Sequence, residues 1–111
     1  MTFSIYVPCT DRGQTLPPVL YYLSGLTCTD ENARTKSNFL NKACEYRIAV
    51  VFPDTSPRDI NIEGVGDVYS FGLGAGFYVD ATEEKYKNHF NMYTYVNHEL
   101  PDLVNRFFTV D

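Results

Sequence analysis

The sequence predicts an α/β fold, and three observations carry the prediction. Val19-Leu20-Tyr21-Tyr22-Leu23 is a continuous apolar and aromatic run, the character of a strand covered on both faces in a parallel sheet. Ile48-Ala49-Val50-Val51-Phe52 is a second such run, stopped by Pro53. Between them Phe39, Leu40, Ala43 and Cys44 recur at helical spacing, which predicts a helix from about Asn32 to Tyr46. Strand, helix and strand in that order imply a parallel pair joined by a right-handed crossover.

The other elements follow in chain order. Phe3, Ile5 and Val7 alternate with Ser4 and Tyr6, a half-exposed strand ended by Pro8. Asp11-Arg12-Gly13-Gln14 reads as a turn, and Asp30 or Asn32 suits the cap of the first helix. From Asp54 to Asp80 the chain is loop-like, with Pro57 and glycines at 64, 66, 72, 74 and 76. A loop of this length without its own secondary structure is uncommon in a compact domain and is usually functional. Thr82-Glu83-Glu84 suits a helix start, because acidic residues favour the positive end of the helix dipole. Met92, Tyr95, Val96, Leu100, Leu103, Val104 and Phe107 form one apolar stripe. Pro101 interrupts it, so a kink or break is expected near Asn97. The chain reaches Asp111 just after this helix, where the next parallel strand is expected, so residues 1–111 read as a single partial domain.

Composition narrows the function. With 111 residues and 44 % apolar content the chain can form one small core and is not a disordered tail. The net charge of −5 argues against nucleic acid or an anionic membrane as partner. No apolar run approaches the roughly 18 residues of a membrane span. Cys9, Cys28 and Cys44 form no CxxC pair and no metal-ligand spacing with His89 or His98, so no metal or other cofactor is expected. An odd cysteine count without a signal peptide points to a reducing, cytoplasmic setting.

The most informative stretch is Tyr22-Leu23-Ser24-Gly25-Leu26-Thr27-Cys28-Thr29. An apolar strand runs into a tight Ser-Gly turn whose backbone amides lie beside a Cys and two Thr hydroxyls. Such a turn can hold an oxyanion, the charge that develops when an acyl carbonyl is attacked. No nucleophile motif follows: G-x-S-x-G around Ser24 would need glycine at positions 22 and 26, where Tyr22 and Leu26 stand.

Four blocks carry a family resemblance. Leu23-Ser24-Gly25-Leu26-Thr27-Cys28-Thr29 with Asn32, then Pro53-Asp54-Thr55-Ser56-Pro57-Arg58, resemble the first two blocks of the S-formylglutathione hydrolases, the esterase D family. Phe71-Gly72 with Gly74 to Thr82, and Met92-Tyr93, Tyr95-Val96 and Glu99-Leu100-Pro101, resemble the third and fourth. The resemblance covers nearly the whole chain in family order. It implies an α/β-hydrolase fold, a mixed and mostly parallel sheet with flanking helices, present here up to a point before the strand that bears the nucleophile. It implies a serine esterase that hydrolyses the thioester S-formylglutathione to glutathione and formate, and simple carboxylic esters besides. The triad Ser, Asp and His of the family fall outside the chain. Leu26 resembles the family position whose backbone N–H makes half of the oxyanion hole. Gly25, Thr27 and Cys28 would line the pocket; Cys28 resembles a cysteine near the active site that is not the nucleophile. The loop from Asp54 to Asp80 resembles the segment that helps wall the site. Asp59 stands where the family usually has glycine, and Val68-Tyr69-Ser70 where it usually has Ser-Trp-Asp. These departures imply altered loop geometry in a divergent member or in a copy under relaxed constraint.

The residues also admit plainer readings. Ser24 suits a turn residue satisfying backbone groups. A Cys28 dyad with His89 or His98 lacks any supporting motif, and both histidines read as surface or cap groups. Asp54 and Arg58 suit a loop-bracing ion pair, and Asp80, Glu83 and Glu84 a helix-start cluster without a metal. Gly72-x-Gly74-x-Gly76 lacks the strand and the Lys-Ser/Thr of a phosphate loop, so a turn over the pocket explains it better. The expected partner is a small thioester or ester, and a homodimer is permitted. Against the esterase stand a non-catalytic product that associates with a full-length enzyme, and a flavodoxin-like module too poor in glycine at Ser24 to Thr27 to cradle phosphate.

Overall fold

The computed structural model describes every residue except Arg12, Ala75 and Gly76. Its centre is a three-stranded sheet in the order β1-β3-β2. Strand β1 (Phe3–Tyr6) runs antiparallel to β3 (Ala49–Pro53), with Phe3 opposite Pro53 and Tyr6 opposite Val50. Strand β2 (Val19–Tyr21) runs parallel to β3, with Val19 opposite Ala49 and Tyr21 opposite Val51. The parallel pair is therefore as the apolar runs predict.

Alternation along β3 sorts its side chains onto two layers. Ala49 and Val51 face a cluster of Met92, Tyr95, Leu100, Val104 and Val110, joined by Phe3, Ile5, Val19 and Tyr21 from the outer strands. Val50 and Phe52 face Ala33 and Ala43 of the crossover, with Tyr6, Phe39 and Leu40 alongside. Helices on both faces leave all five residues of β3 buried, and each large apolar side chain so covered contributes about 1.5–3 kcal/mol.

Strand β2 corrects the expectation of a strand covered on both faces. It is shorter than the apolar run, and Leu20, Tyr22 and Leu23 are 50 %, 42 % and 41 % exposed. The cause is position: β2 is the sheet edge, with β3 on one side only. Beyond its last residue the Tyr22 amide still donates to the Val51 carbonyl at 2.9 Å.

The crossover also differs from the single helix expected over 32–46. It forms two helices, α1 (Asp30–Lys36) and α2 (Leu40–Tyr46). Ser37 turns extended (φ −84°, ψ 135°), and both its amide and its hydroxyl donate to the Ala33 carbonyl. A serine that satisfies the helix end in this way offers the chain an alternative to a further turn. At the other end Thr29, rather than Asp30 or Asn32, is the N-cap: its hydroxyl accepts from the Glu31 amide, and the Asn32 side chain accepts from the Thr29 amide at 2.7 Å. This reciprocal pairing is a capping box.

The loop after β3 is confirmed as lacking helix or strand among its described residues, up to an antiparallel bridge between Asp80 and Asn91. No helix follows Thr82. Residues 83–90 form isolated turns, with the Lys87 amide on Glu83 O and the Phe90 amide on Tyr86 O. The bridge accounts for this: Ala81 N–H to Phe90 O and Met92 N–H to Val79 O fold the segment back on itself before a helix can propagate.

The last helix is continuous across Pro101, and of the kink or break expected near Asn97 it shows a local distortion and no break. It comprises α3 (Met92–Thr94), a π-helical turn (Tyr95–Glu99) and α4 (Leu100–Phe107). Pro101 has no N–H to bond the Asn97 carbonyl, and the wider turn absorbs the loss by sending the Leu100 amide to Tyr95 O. No helix among the described residues is long and apolar enough to cross a membrane.

Candidate functional site

Parallel strands point their C-terminal ends the same way, and crevices outside those ends are where open α/β sheets bind ligands. Strand β2 delivers Ser24 to Thr29 there, and β3 delivers Asp54 to Arg58. The Gly25 carbonyl accepts from the Cys28 amide at 3.2 Å, closing the turn. Thr27 takes a left-handed backbone, φ +66°. Its amide donates to the Gly74 carbonyl at 2.5 Å. The Leu26 amide differs from these two: among the described residues no acceptor is bonded to it.

Residues from the long loop surround this turn. The Tyr78 hydroxyl donates to the Ser24 carbonyl at 2.6 Å. Burial pushes its pKa up to about 12, with the nearby Cys28 and Asp54 adding to the shift, so it remains a donor at neutral pH. The Thr55 hydroxyl donates to the Cys28 carbonyl at 2.5 Å, and Arg58 Nη2 reaches the same oxygen at 3.2 Å. Arg58 also grips the buried Asp54 carboxylate through both oxygens, at 2.7 and 2.9 Å, and its own pKa is raised by that hydrogen bond. The Asp54–Arg58 pair is thus a brace, as the sequence suggests. It is anchored to the turn as well as to its own loop.

Gly74 is required where it stands. Its φ is +70°, and a Cβ there would come within 3.1 Å of the Thr27 Cα. Its amide donates to the buried Ser56 hydroxyl at 2.6 Å. Gly72-x-Gly74 is consequently a loop packed against the turn; Gly76 lies outside the described residues.

An open groove of about 370 Å³ runs between the turn and α1, lined by Ser24, Gly25, Cys28, Asn32 and Lys36 among others. Gly25 and Cys28 line it; Leu26 and Thr27 are not among its walls. Ser24 is 7 % exposed and serves the turn through its carbonyl. His89 lines a different cleft, with Arg58, Tyr95 and Glu99, so it does not share a cavity with Cys28. His98 sits on the π-helical turn. Asp80 accepts from the Thr94 amide at 2.9 Å and from the Thr94 hydroxyl, so it caps α3 instead of opening a helix at Thr82. Glu84 pairs with Lys87 at 2.6 Å, and no cluster of metal ligands occurs among the described residues. Sequence reasoning missed Tyr78, Thr55 and Ser56 as partners of the turn. Their blocks were legible, but contacts spanning 18 to 54 residues carry no local signal.

A three-layer α/β unit with such a turn at the C-terminal end of a parallel strand is the architecture of an α/β hydrolase. The chain belongs to the family described as "Putative esterase", which it matches over residues 1–111. It is 55 % identical over 109 residues to the S-formylglutathione hydrolase of Arabidopsis thaliana, covering 98 % of this chain and 38 % of the relative. It is 57 % identical over 113 residues to that of Paracoccus denitrificans, covering 100 % of this chain and 39 % of the relative. Among solved structures, an S-formylglutathione hydrolase from Agrobacterium tumefaciens superposes with a TM-score of 0.88 at 44 % identity, over 98 % of this chain and 39 % of that one. The chain therefore spans about two fifths of the length of the relatives it matches.

Proposed function

We propose that this chain forms the oxyanion-binding side of a cytoplasmic serine esterase acting on small thioesters, S-formylglutathione foremost. One observation carries the reading: the Leu26 amide has no bonded acceptor among the described residues, in a turn at the end of β2 where the two amides that follow it, of Thr27 and Cys28, are both taken. In the working enzyme a serine hydroxyl attacks the formyl carbon, and its proton passes to a histidine. The carbonyl oxygen becomes an oxyanion held by the Leu26 N–H and by one further amide. The C–S bond then breaks, glutathione leaves with the proton, and water hydrolyses the formyl ester to release formate. By the family resemblance, the serine, histidine and aspartate fall outside this chain. Catalysis by the chain alone is limited to what binding and oxyanion stabilisation supply.

The decisive test measures intact native mass alongside S-formylglutathione hydrolysis. The expected result is a species built of 12.7 kDa chains that does not hydrolyse the thioester, with activity appearing only when the remaining segment is present. Hydrolysis by the 12.7 kDa chain alone overturns the reading and returns attention to Cys28. A second reading, a non-catalytic product that associates with a full-length enzyme, is favoured by the exposed edge strand β2. Co-purification with such an enzyme, without any gain in hydrolysis, would select it.

A further inference from the structure

We propose that Tyr78, Thr55 and Ser56 are positioning residues that aim the Leu26 amide, so that the long loop sets the oxyanion geometry as well as walling the pocket. This rests on the esterase reading above and deepens it.

The turn is held from outside at three backbone points. The carbonyl before it, of Ser24, takes the Tyr78 hydroxyl at 2.6 Å. The carbonyl at its end, of Cys28, takes the Thr55 hydroxyl at 2.5 Å and Arg58 at 3.2 Å. Inside it, the Thr27 amide rests on the Gly74 carbonyl, and Gly74 is in turn held by the Ser56 hydroxyl at 2.6 Å. Leu26 lies between the two pinned carbonyls and immediately before the pinned amide. Its peptide plane is therefore fixed by partners that never touch it.

The backbone shows that the pinning is needed. Thr27 at φ +66° is a β-branched residue in the left-handed region. Such conformations cost about 1–3 kcal/mol and persist only where the surroundings over-determine them. No helix or strand contains Thr27, so the restraint comes from the loop contacts. Polar side chains that elsewhere would face water are buried against the turn and its Gly74 support: Thr55 is fully buried and Ser56 is 3 % exposed. An oxyanion donor is effective only when it is preorganised toward the developing charge, and a misplacement of about 1 Å can cost on the order of 100-fold in rate.

The test uses Tyr78→Phe, Thr55→Val, Thr55→Ser and Ser56→Ala with two readouts. The first is hydrogen exchange of the Thr27 amide in the 111-residue chain. The second is steady-state hydrolysis of S-formylglutathione by the same chain co-expressed with the segment of the Agrobacterium tumefaciens hydrolase that it does not span. Tyr78→Phe and Thr55→Val are expected to speed Thr27 exchange at least tenfold and to lower kcat about 10-fold or more, with KM within twofold. Thr55→Ser restores both, because it keeps the hydroxyl. Unchanged exchange and unchanged kcat in Tyr78→Phe and Thr55→Val overturn the proposal. So does a loss of kcat that merely follows the loss of melting temperature across the four variants. A completed wild-type protein that cleaves no thioester overturns the esterase reading instead, and the exchange data then still decide whether the loop holds the turn.

Discussion

Asp59 holds a left-handed backbone, φ +57°, at the position where the resembled family usually carries glycine. An L side chain there meets its own backbone, a cost that glycine avoids. Asp59→Gly is expected to stabilise the protein by about 0.5–1 kcal/mol, the relief being partly offset by the greater freedom of glycine in the unfolded chain. A urea titration checks it, and a fall in the midpoint sinks it. The departure at Tyr69 and Ser70 carries no such strain: neither has a positive φ. Asp80 offers a pH-dependent case. The hydroxyl and amide of Thr94 hold its pKa below the usual carboxylate value. The folded pKa lies below the unfolded one, so this contact stabilises fully above the unfolded value. The contribution is lost as pH falls through the folded value. In Thr94→Val the Asp80 pKa is expected to rise, as an NMR titration of the carboxyl carbon would record.

At the scale of elements, β3 and the loop behind it carry the fold and the site respectively. Phe52 is 1 % exposed and stacks near Phe39 and Tyr22, with ring centres 5.8 and 6.1 Å away. Phe52→Ala is expected to cost about 3–5 kcal/mol by denaturant unfolding, because the two neighbouring rings cannot refill the space. Gly74→Ala should lose about 1–3 kcal/mol, since it combines a positive φ with a backbone contact at 3.1 Å. A crystal structure of that variant should show the Thr27 turn displaced. The same two elements mark what the sequence could disclose. Five apolar residues in a row announce β3, because burial on two faces writes itself into composition; the like run at β2 announces a strand but not its half-exposed place at the sheet edge. The turn after β2 was visible as a Ser-Gly break after an apolar run. The two-helix crossover was not, because Ser37 ends α1 through a hydrogen bond that helical spacing does not record. Nor was the π-helical turn: Pro101 signals a lost hydrogen bond, but whether the helix breaks or widens depends on the core that grips Tyr95 and Leu100 on either side.

At the scale of the 111 residues together, β2 forms an edge of the sheet with part-exposed apolar side chains. Unpaired backbone groups flanked by Leu20, Tyr22 and Leu23 form a template for another strand. The 111-residue chain is therefore expected to self-associate with rising concentration, as sedimentation velocity would show. Leu20→Lys should suppress the association while leaving the β1-β3 pairing intact. A strict monomer in the wild-type chain at high concentration would refute the argument. Stability and assembly are thus separable here: the first belongs to the two buried layers, the second to one strand at the rim.

The strand order β1-β3-β2 also sets a timetable. Both β1 and β2 precede β3 in the chain, yet neither pairs with the other; each waits for Ala49–Pro53. A chain emerging from the ribosome holds two strands in reserve until their shared partner appears, and only then can the sheet close in one concerted step. Pairings of such long sequence separation slow folding, because loop-closure entropy is lost before contacts repay it. Refolding should accordingly be slowed by Val51→Ala, whose contacts belong to that step. Leu20→Ala, at a half-exposed position on the sheet's rim, should chiefly hasten unfolding.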